Sequence, residues 1–193
     1  DNPPLLAWAE YENYKITGDR ERVRSVFFKR RYLQRYFDLF DSFHPGSEIP
    51  YSYPGSKVCL QKTAMGYHWS GGRCGMDNTP RGDFGPEVFW NNPAYRSILF
   101  LDAIAQQALS ARIIAELTDD RSYHEKHQRL CELLNQHYWD DTDGFYYDIE
   151  ASPPHRKVKV KTPTSYWALL AGACSPEQAA RLAEHAADPG VFG

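Results

Sequence analysis

Leu101-Asp-Ala-Ile-Ala-Gln-Gln-Ala-Leu-Ser-Ala-Arg-Ile-Ile-Ala-Glu-Leu-Thr-Asp-Asp-Arg121 is the key to how this chain folds. Leu101, Ala105 and Ala108, with Ile98 just ahead, recur at helical spacing. The pattern stops at Thr118-Asp-Asp-Arg121, and a second helical pattern starts at once on Tyr123, Leu130, Leu134 and Tyr138. Ala7 to Arg20 repeats the arrangement: a helical pattern runs into Thr17-Gly-Asp-Arg20, with a new one directly behind it. Two helix hairpins are expected, each with a tight acidic turn whose aspartate caps the second helix.

A third hairpin is expected over Thr164 to Ala187. Gly172 ends its first helix, and Ser175-Pro-Glu-Gln178 opens the next with a serine cap, a first-turn proline and a glutamine three residues on. Between the helix pairs, Asp143-Gly144 followed by Phe-Tyr-Tyr reads as one short β-hairpin. His155 to Lys161 alternates Val158 and Val160 with basic residues, as a short exposed strand would. Repeated helix hairpins with long loops on one side point to an all-α fold, an α/α toroid that is incomplete here. The Gly- and Pro-rich region from about 46 to 92 is too long for a mere connector, and loops of that length are usually functional or disordered.

Composition narrows the function. The chain of 193 residues is 42% hydrophobic and 24% charged, which is ordinary for a globular protein. Its aromatic share of 15% is high, and aromatics serve both cores and sugar-binding clefts. A net charge of −3 argues against nucleic acid, which needs a concentrated basic surface. The Arg and Lys residues between Arg20 and Arg35 interleave with Val23, Val26, Phe27, Leu33, Phe37 and Phe40, so they read as a solvated helix face. No apolar run reaches the length of a membrane span, and no signal peptide is visible. The chain opens on Asp1-Asn-Pro-Pro rather than Met, so its native start is expected to lie outside this sequence. The location is therefore open between cytoplasmic and, after loss of a signal peptide, periplasmic or secreted. Cys131 and Cys174 sit in helical patterns as small buried hydrophobes. Cys59 and Cys74 flank one loop and pair only if it folds back on itself.

The chemistry concentrates in Trp69-Ser-Gly-Gly-Arg-Cys-Gly-Met-Asp-Asn-Thr-Pro-Arg81. Here one carboxylate, Asp77, sits among glycines, an amide, arginines and an indole, with neither helical nor strand periodicity. Loops on a rigid scaffold are where function gathers. In the functional reading Trp69 and Tyr67 stack on a sugar face, Arg73, Asn78 and Arg81 grip hydroxyls, and Asp77 exchanges a proton. In the plain reading the stretch is a polar surface turn, since Gly, Asn, Asp and Pro are ordinary turn residues.

Gly75-Met-Asp-Asn-Thr-Pro-Arg81 resembles the signature of a glycoside hydrolase group that includes the trehalases (family 37) and the processing-glucosidase and mannosylglycerate-hydrolase-like enzymes (family 63). Two further stretches are similar in the same order. Pro3-Pro-Leu-Leu-Ala-Trp-Ala9 with Thr17-Gly-Asp-Arg20 looks like the helix that precedes the loop. Trp139-Asp-Asp-Thr-Asp-Gly-Phe-Tyr-Tyr-Asp148 looks like a later helix-to-hairpin turn. The group commonly has Glu-Ser ahead of the Gly-Met-Asp; here stand Arg73 and Cys74, which leaves the substrate subfamily open. The resemblance implies a six-hairpin barrel, the (α/α)6 type, of which residues 1–193 would be the N-terminal part. It also implies Asp77 as general acid, and Tyr166 and Trp167 as sugar contacts, though core packing explains that pair equally well.

Glycoside hydrolysis needs two carboxyl groups, one to protonate the leaving oxygen and one to activate water or attack. The group's base is a late glutamate with no counterpart here. Glu48, Asp83, Glu87 and Asp102 are available, and nothing in their spacing selects one. Asp102, on an otherwise apolar helix start, points either into the cavity or to a cap. Asp141-Thr-Asp143-Gly has the beginning of a calcium loop without its remaining ligands, so a hairpin turn is expected. The seven histidines lack metal spacing, and His124 and His127 read as a solvated helix face. The expectation is an inverting, exo-acting α-glycosidase with a carbohydrate substrate and no cofactor. No nucleic-acid or membrane partner is expected, and the oligomeric state is left open. The rival readings are a non-catalytic helical-repeat module that binds a sugar or protein, and a toroid epimerase or lyase, which would favour His or Tyr over Asp.

Overall fold

A computed structural model of the chain describes residues 3–42, 61–69, 81 and 98–192. It is mostly helical. Helix α1 (Leu6–Thr17) turns into α2 (Arg20–Val23), a π-helical segment (Arg24–Lys29) and α3 (Tyr32–Ser42). Helix α4 (Leu101–Thr118) turns into α5 (Arg121–Leu133), which ends in a π-helical segment (Leu134–Tyr138). A 3-10 turn (Pro163–Ser165) leads into α6 (Tyr166–Ala171), followed by α7 (Pro176–Ala187) and α8 (Pro189–Phe192). The three helix hairpins expected from the apolar spacing are all present.

The two repeats share the same turn devices. Thr17 Oγ1 donates to Asn13 O at 2.8 Å, and Thr118 Oγ1 donates to Ile114 O at 2.6 Å. Gly18 and Asp119 both leave their helices in the left-handed region, at φ 66° and 52°. Asp19 and Asp120 then cap the next helices, accepting from the Arg22 and Ser122 amides at 2.9 and 3.0 Å. Ser175 and Gln178 complete a reciprocal capping box at the start of α7.

Helix α4 is the central element. Fourteen of its eighteen residues are buried, including Asp102, Gln106 and Gln107, so it has no solvent face to support an amphipathic pattern. It packs against α1, α3, α5 and α6. Helix α1 runs alongside it: Ser110 Oγ donates to Pro4 O at 2.8 Å, and Tyr11 Oη donates to Glu116 at 2.5 Å.

The basic stretch in 20–35 is solvated as expected, but it is not one helix. The π-helical segment adds a residue to the turn, and Arg31 then takes φ 48°. Gln34 Nε2 spans the break to Phe27 O at 2.9 Å, so that Phe27, Leu33, Phe37 and Phe40 all reach the core.

Strands are more numerous than the one hairpin and the short strand within His155 to Lys161 that were expected, though each is short. The expected hairpin is β4 (Trp139–Asp140) with β5 (Phe145–Tyr146). A second, β1 (Gln61–Thr63) with β2 (Gly66–His68), lies inside the long loop region. A third sheet has β6 (Asp148–Glu150) between β3 (Ile98–Leu99) and β7 (Lys157–Val158). Strands of two or three residues are too short for a period-two pattern to show, and β3 meets β6 across a long separation in sequence. The sheets matter because β1–β2 and β3–β6–β7 gather at the N-terminal end of α4. Phe100 N donates to Tyr67 O at 2.9 Å, which ties β2 to the start of that helix.

Candidate active site

The start of α4 lacks a capping side chain of its own, since Phe100 stands at the N-cap with no acceptor. The four first amides of a helix need partners. Asp148, from the central strand β6, supplies one: its Oδ1 accepts from Leu101 N at 2.8 Å. Asp102, in the first helical turn, accepts from Ala103 N at 3.0 Å and is favoured there by the helix dipole.

Arg81 sits between these two carboxylates. Its Nε and Nη2 donate to Asp148 Oδ2 and Oδ1 at 2.7 and 2.6 Å. Its Nη1 and Nη2 donate to Asp102 Oδ2 and Oδ1 at 2.9 and 3.0 Å. The guanidinium also lies 4.9 Å over the Phe100 ring. Arg81, Asp102 and Asp148 are 4%, 1% and 4% exposed, so the cluster is closed to water. Burial pulls the guanidinium down, but the two carboxylates more than reverse it, and Arg81 is firmly a cation. Burial pushes the Asp148 carboxyl up, and Arg81 offsets part of that rise.

Tyr138 packs nearby, its phenol driven well up by burial and then by Asp148 and Asp102. Its hydroxyl donates to Met65 O at 2.9 Å, next to Gly66. A Cβ on Gly66 would lie 2.1 Å from Tyr138 Oη, and φ there is +147°, so this position requires glycine.

The expected site residues are therefore distributed as follows. Arg81 and Asp102 are brought together, as partners of each other rather than of an open cavity. Tyr67 and Trp69 were expected as sugar-stacking faces, yet they are 1% and 0% exposed and offer no ring face as placed. Trp69 packs edge-to-face on Phe40 at 5.7 Å, while Tyr67 Oη donates to Asp41 at 2.5 Å. Tyr166 packs edge-to-face on Phe145 and donates to Leu182 O at 3.2 Å, a core arrangement. Trp167 is half-buried and meets Trp8 of α1 edge-to-face at 5.5 Å. Asp77, Arg73 and Asn78 lie outside the described residues, as do Glu48, Asp83, Glu87, Cys59 and Cys74. Asp148 was missed as a site residue. It closes the Trp139–Asp148 stretch, whose local signals are those of a turn.

The calcium-like turn holds cationic side chains instead. Lys159 Nζ bridges Asp140 and Asp143 at 2.5 and 2.7 Å. Arg181 takes the carbonyls of Asp141 and Thr142, and His185 Nε2 lies 2.8 Å from that of Asp143. Among the described residues no group of acids, histidines or cysteines is arranged to hold a metal. No helix among them is long and apolar enough to cross a membrane.

His127 does not lie on a solvated helix face. It is half-buried, with Nε2 at 2.9 Å from Ala171 O and 3.2 Å from Cys131 Sγ, because α5 packs that side toward α6. Burial lowers the imidazole and raises the Cys131 thiol to about 11, so the pair is neutral and not an activated nucleophile.

The family described as mannosylglycerate hydrolase MGH1-like glycoside hydrolase domain matches residues 1–193. An uncharacterized protein of Borreliella burgdorferi is 23% identical over 98% of this chain and 34% of its own length. The cytosolic neutral trehalase of Saccharomyces cerevisiae is 36% identical over 36% of this chain and 9% of its own. The mannosylglycerate hydrolase of Thermus thermophilus, solved with glucose, aligns with a TM-score of 0.68 at 20% identity. That alignment covers 96% of this chain and 50% of the Thermus chain, and at this identity the likeness is one of fold. The chain thus spans about half of the solved relative and about a third of the Borreliella one.

Proposed function

This chain belongs to the family of mannosylglycerate hydrolase MGH1-like glycoside hydrolase domains, and from that membership we propose that the protein hydrolyses an α-linked O-glycoside with inversion, from a chain end. The carrying observation is the family match along the whole chain; Arg81, four positions after Asp77 in sequence, is held at the start of α4. Asp77 serves as general acid. It gives a proton to the glycosidic oxygen while a carboxylate outside this chain activates water from the opposite face. Asp102 and Asp148 are not the base, because their oxygens are committed to Arg81 and to helix amides. Arg73 and Asn78 grip substrate hydroxyls, and Trp167 is retained as a sugar contact because its indole is partly open. Residues 1–193 form the N-terminal part of one barrel domain. The names of the relatives point to a small substrate such as a mannosylglycerate or trehalose.

The test uses the full-length protein with α-mannosylglycerate, trehalose and 4-nitrophenyl α-glycosides, with the anomer released first read by proton NMR. Inversion yields the β-anomer first. Asp77→Asn is expected to bind substrate normally and to lose about two to four orders of magnitude in kcat on unactivated glycosides. It should lose less on aryl glycosides, whose leaving groups need little protonation. Wild-type turnover by Asp77→Asn on an unactivated glycoside would overturn the assignment. Sugar binding without any hydrolysis by the wild type would favour a binding module.

A further inference from the structure

We propose that Asp102 and Asp148 are positioning residues, which act through Arg81 to hold the far end of the stretch carrying the general acid. The inference rests on the glycosidase reading and extends it to residues that touch no substrate.

The geometry is that of an orienting device. One fork on a guanidinium leaves the group free to pivot about the shared axis. Here two forks use different edges, Nε/Nη2 toward Asp148 and Nη1/Nη2 toward Asp102, so both the plane and its rotation are set. Each carboxylate is itself held by a backbone amide, Asp148 by Leu101 and Asp102 by Ala103. Asp148 belongs to the middle strand of a sheet and Asp102 to the central helix. Arg81 is therefore referenced to two rigid elements at once. The other flank is pinned differently, by Trp69 packed without exposure against Phe40.

Asp77 stands four residues ahead of Arg81, so chain length alone keeps their Cα atoms within about 14 Å. Any shift of Arg81 is passed to the acid along that short tether. Positioning errors near 1 Å cost on the order of 100-fold in rate. A role in stability alone is a weaker account of the cluster. Two carboxyl groups and a guanidinium in a dry site are no more stabilising than well-packed apolar side chains of the same volume. What charges add, and apolar groups do not, is a defined orientation.

The experiment compares full-length Asp102→Asn, Asp148→Asn and Arg81→Lys with wild type on whichever unactivated glycoside, α-mannosylglycerate or trehalose, the wild type turns over, with a 4-nitrophenyl α-glycoside as the substrate expected to be hurt less. The amide carries one acceptor where the carboxylate had two, so one fork is broken while the volume is kept. Per folded molecule, kcat is expected to fall about 10- to 100-fold with KM within about threefold. Arg81→Ala should regain little of its lost kcat in millimolar guanidinium, which restores the ion without the tether, and full rescue by the free ion would overturn the positioning role. Hydrogen exchange should quicken at Tyr67–Trp69 and Leu101–Ala103 and stay unchanged in α7. An active wild type whose Asn variants keep kcat per folded molecule, or lose only KM, would overturn this role and leave the glycosidase reading intact. A wild type inactive on α-mannosylglycerate, trehalose and every aryl α-glycoside would overturn both.

Discussion

Asp148 reaches Arg81 across 67 positions of sequence by a parallel fork, Nη2 to Oδ1 at 2.6 Å and Nε to Oδ2 at 2.7 Å. The same carboxylate caps the first amide of α4. Strand β6, the central helix and Arg81 therefore meet at one group of atoms, and changes there should be felt in both elements.

Removing the cation is the severest change. Arg81→Met leaves two buried carboxyl groups facing each other without a counter-ion, at a cost of about 3–5 kcal/mol at pH 7. The sign of its pH dependence follows from Asp148, whose carboxyl is raised by burial even with Arg81 present. A raised acid favours the folded state below its unfolded value, and that contribution is lost as pH rises through the folded value. Without Arg81 the rise is larger. The stability deficit of Arg81→Met should shrink from pH 7 toward pH 4, as read by urea denaturation at each pH.

Gly66 and Tyr138 form a tight pair whose energetics should couple. Gly66→Ala places a Cβ 2.1 Å from Tyr138 Oη and strains a backbone at φ +147°. Overpacking of this kind costs about 1–3 kcal/mol. In a Tyr138→Phe background the hydroxyl is gone, so part of that cost should disappear. A double-mutant cycle showing strict additivity would contradict the contact.

The paired helix ends give opposite expectations for opposite substitutions. Asp119 adopts φ 52° where its counterpart Gly18 adopts φ 66°. An L-residue in that region carries about 1 kcal/mol of strain. Asp119→Gly should relieve it and be neutral to stabilising. Gly18→Ala should destabilise by about 1 kcal/mol, although nothing lies within 4 Å of the new methyl. Thermal unfolding of both variants tests whether backbone conformation alone sets the effect.

Lys159 should matter within a bounded pH window. Its hydrogen bonds hold the Asp140 and Asp143 carboxyls below their ordinary 3.8. Burial works against its own ammonium, yet the two acids raise it above 10.5. Depressed acids contribute stability above the unfolded value and lose it as pH falls through the folded one. A raised amine contributes below its unfolded value and loses it as pH rises through the folded one. The Tm difference between wild type and Lys159→Met should therefore be present at neutral pH, fade below about pH 3.8 and fade again above about pH 10.5. Lys159 is about half exposed, so salt should reduce the difference as well.

Local signals along the chain were enough to find the helices and their ends. Apolar spacing placed the three hairpins, and Asp19, Asp120, Gly172 and Ser175 marked their turns, because caps and periodicity act over three or four residues. Where the functional-looking side chains sit is decided by long-range packing. Tyr67, Trp69 and Arg81 read as ligand contacts when only their neighbours in sequence are considered. Packing against Phe40 buries Trp69, and hydrogen bonding to Asp41 holds Tyr67 in the core. Asp102 and Asp148, far away in sequence, claim Arg81. A charge finds its partner through space, so a buried ion cluster drawn from Arg81, a helix start and a central strand leaves no spacing to read along the chain.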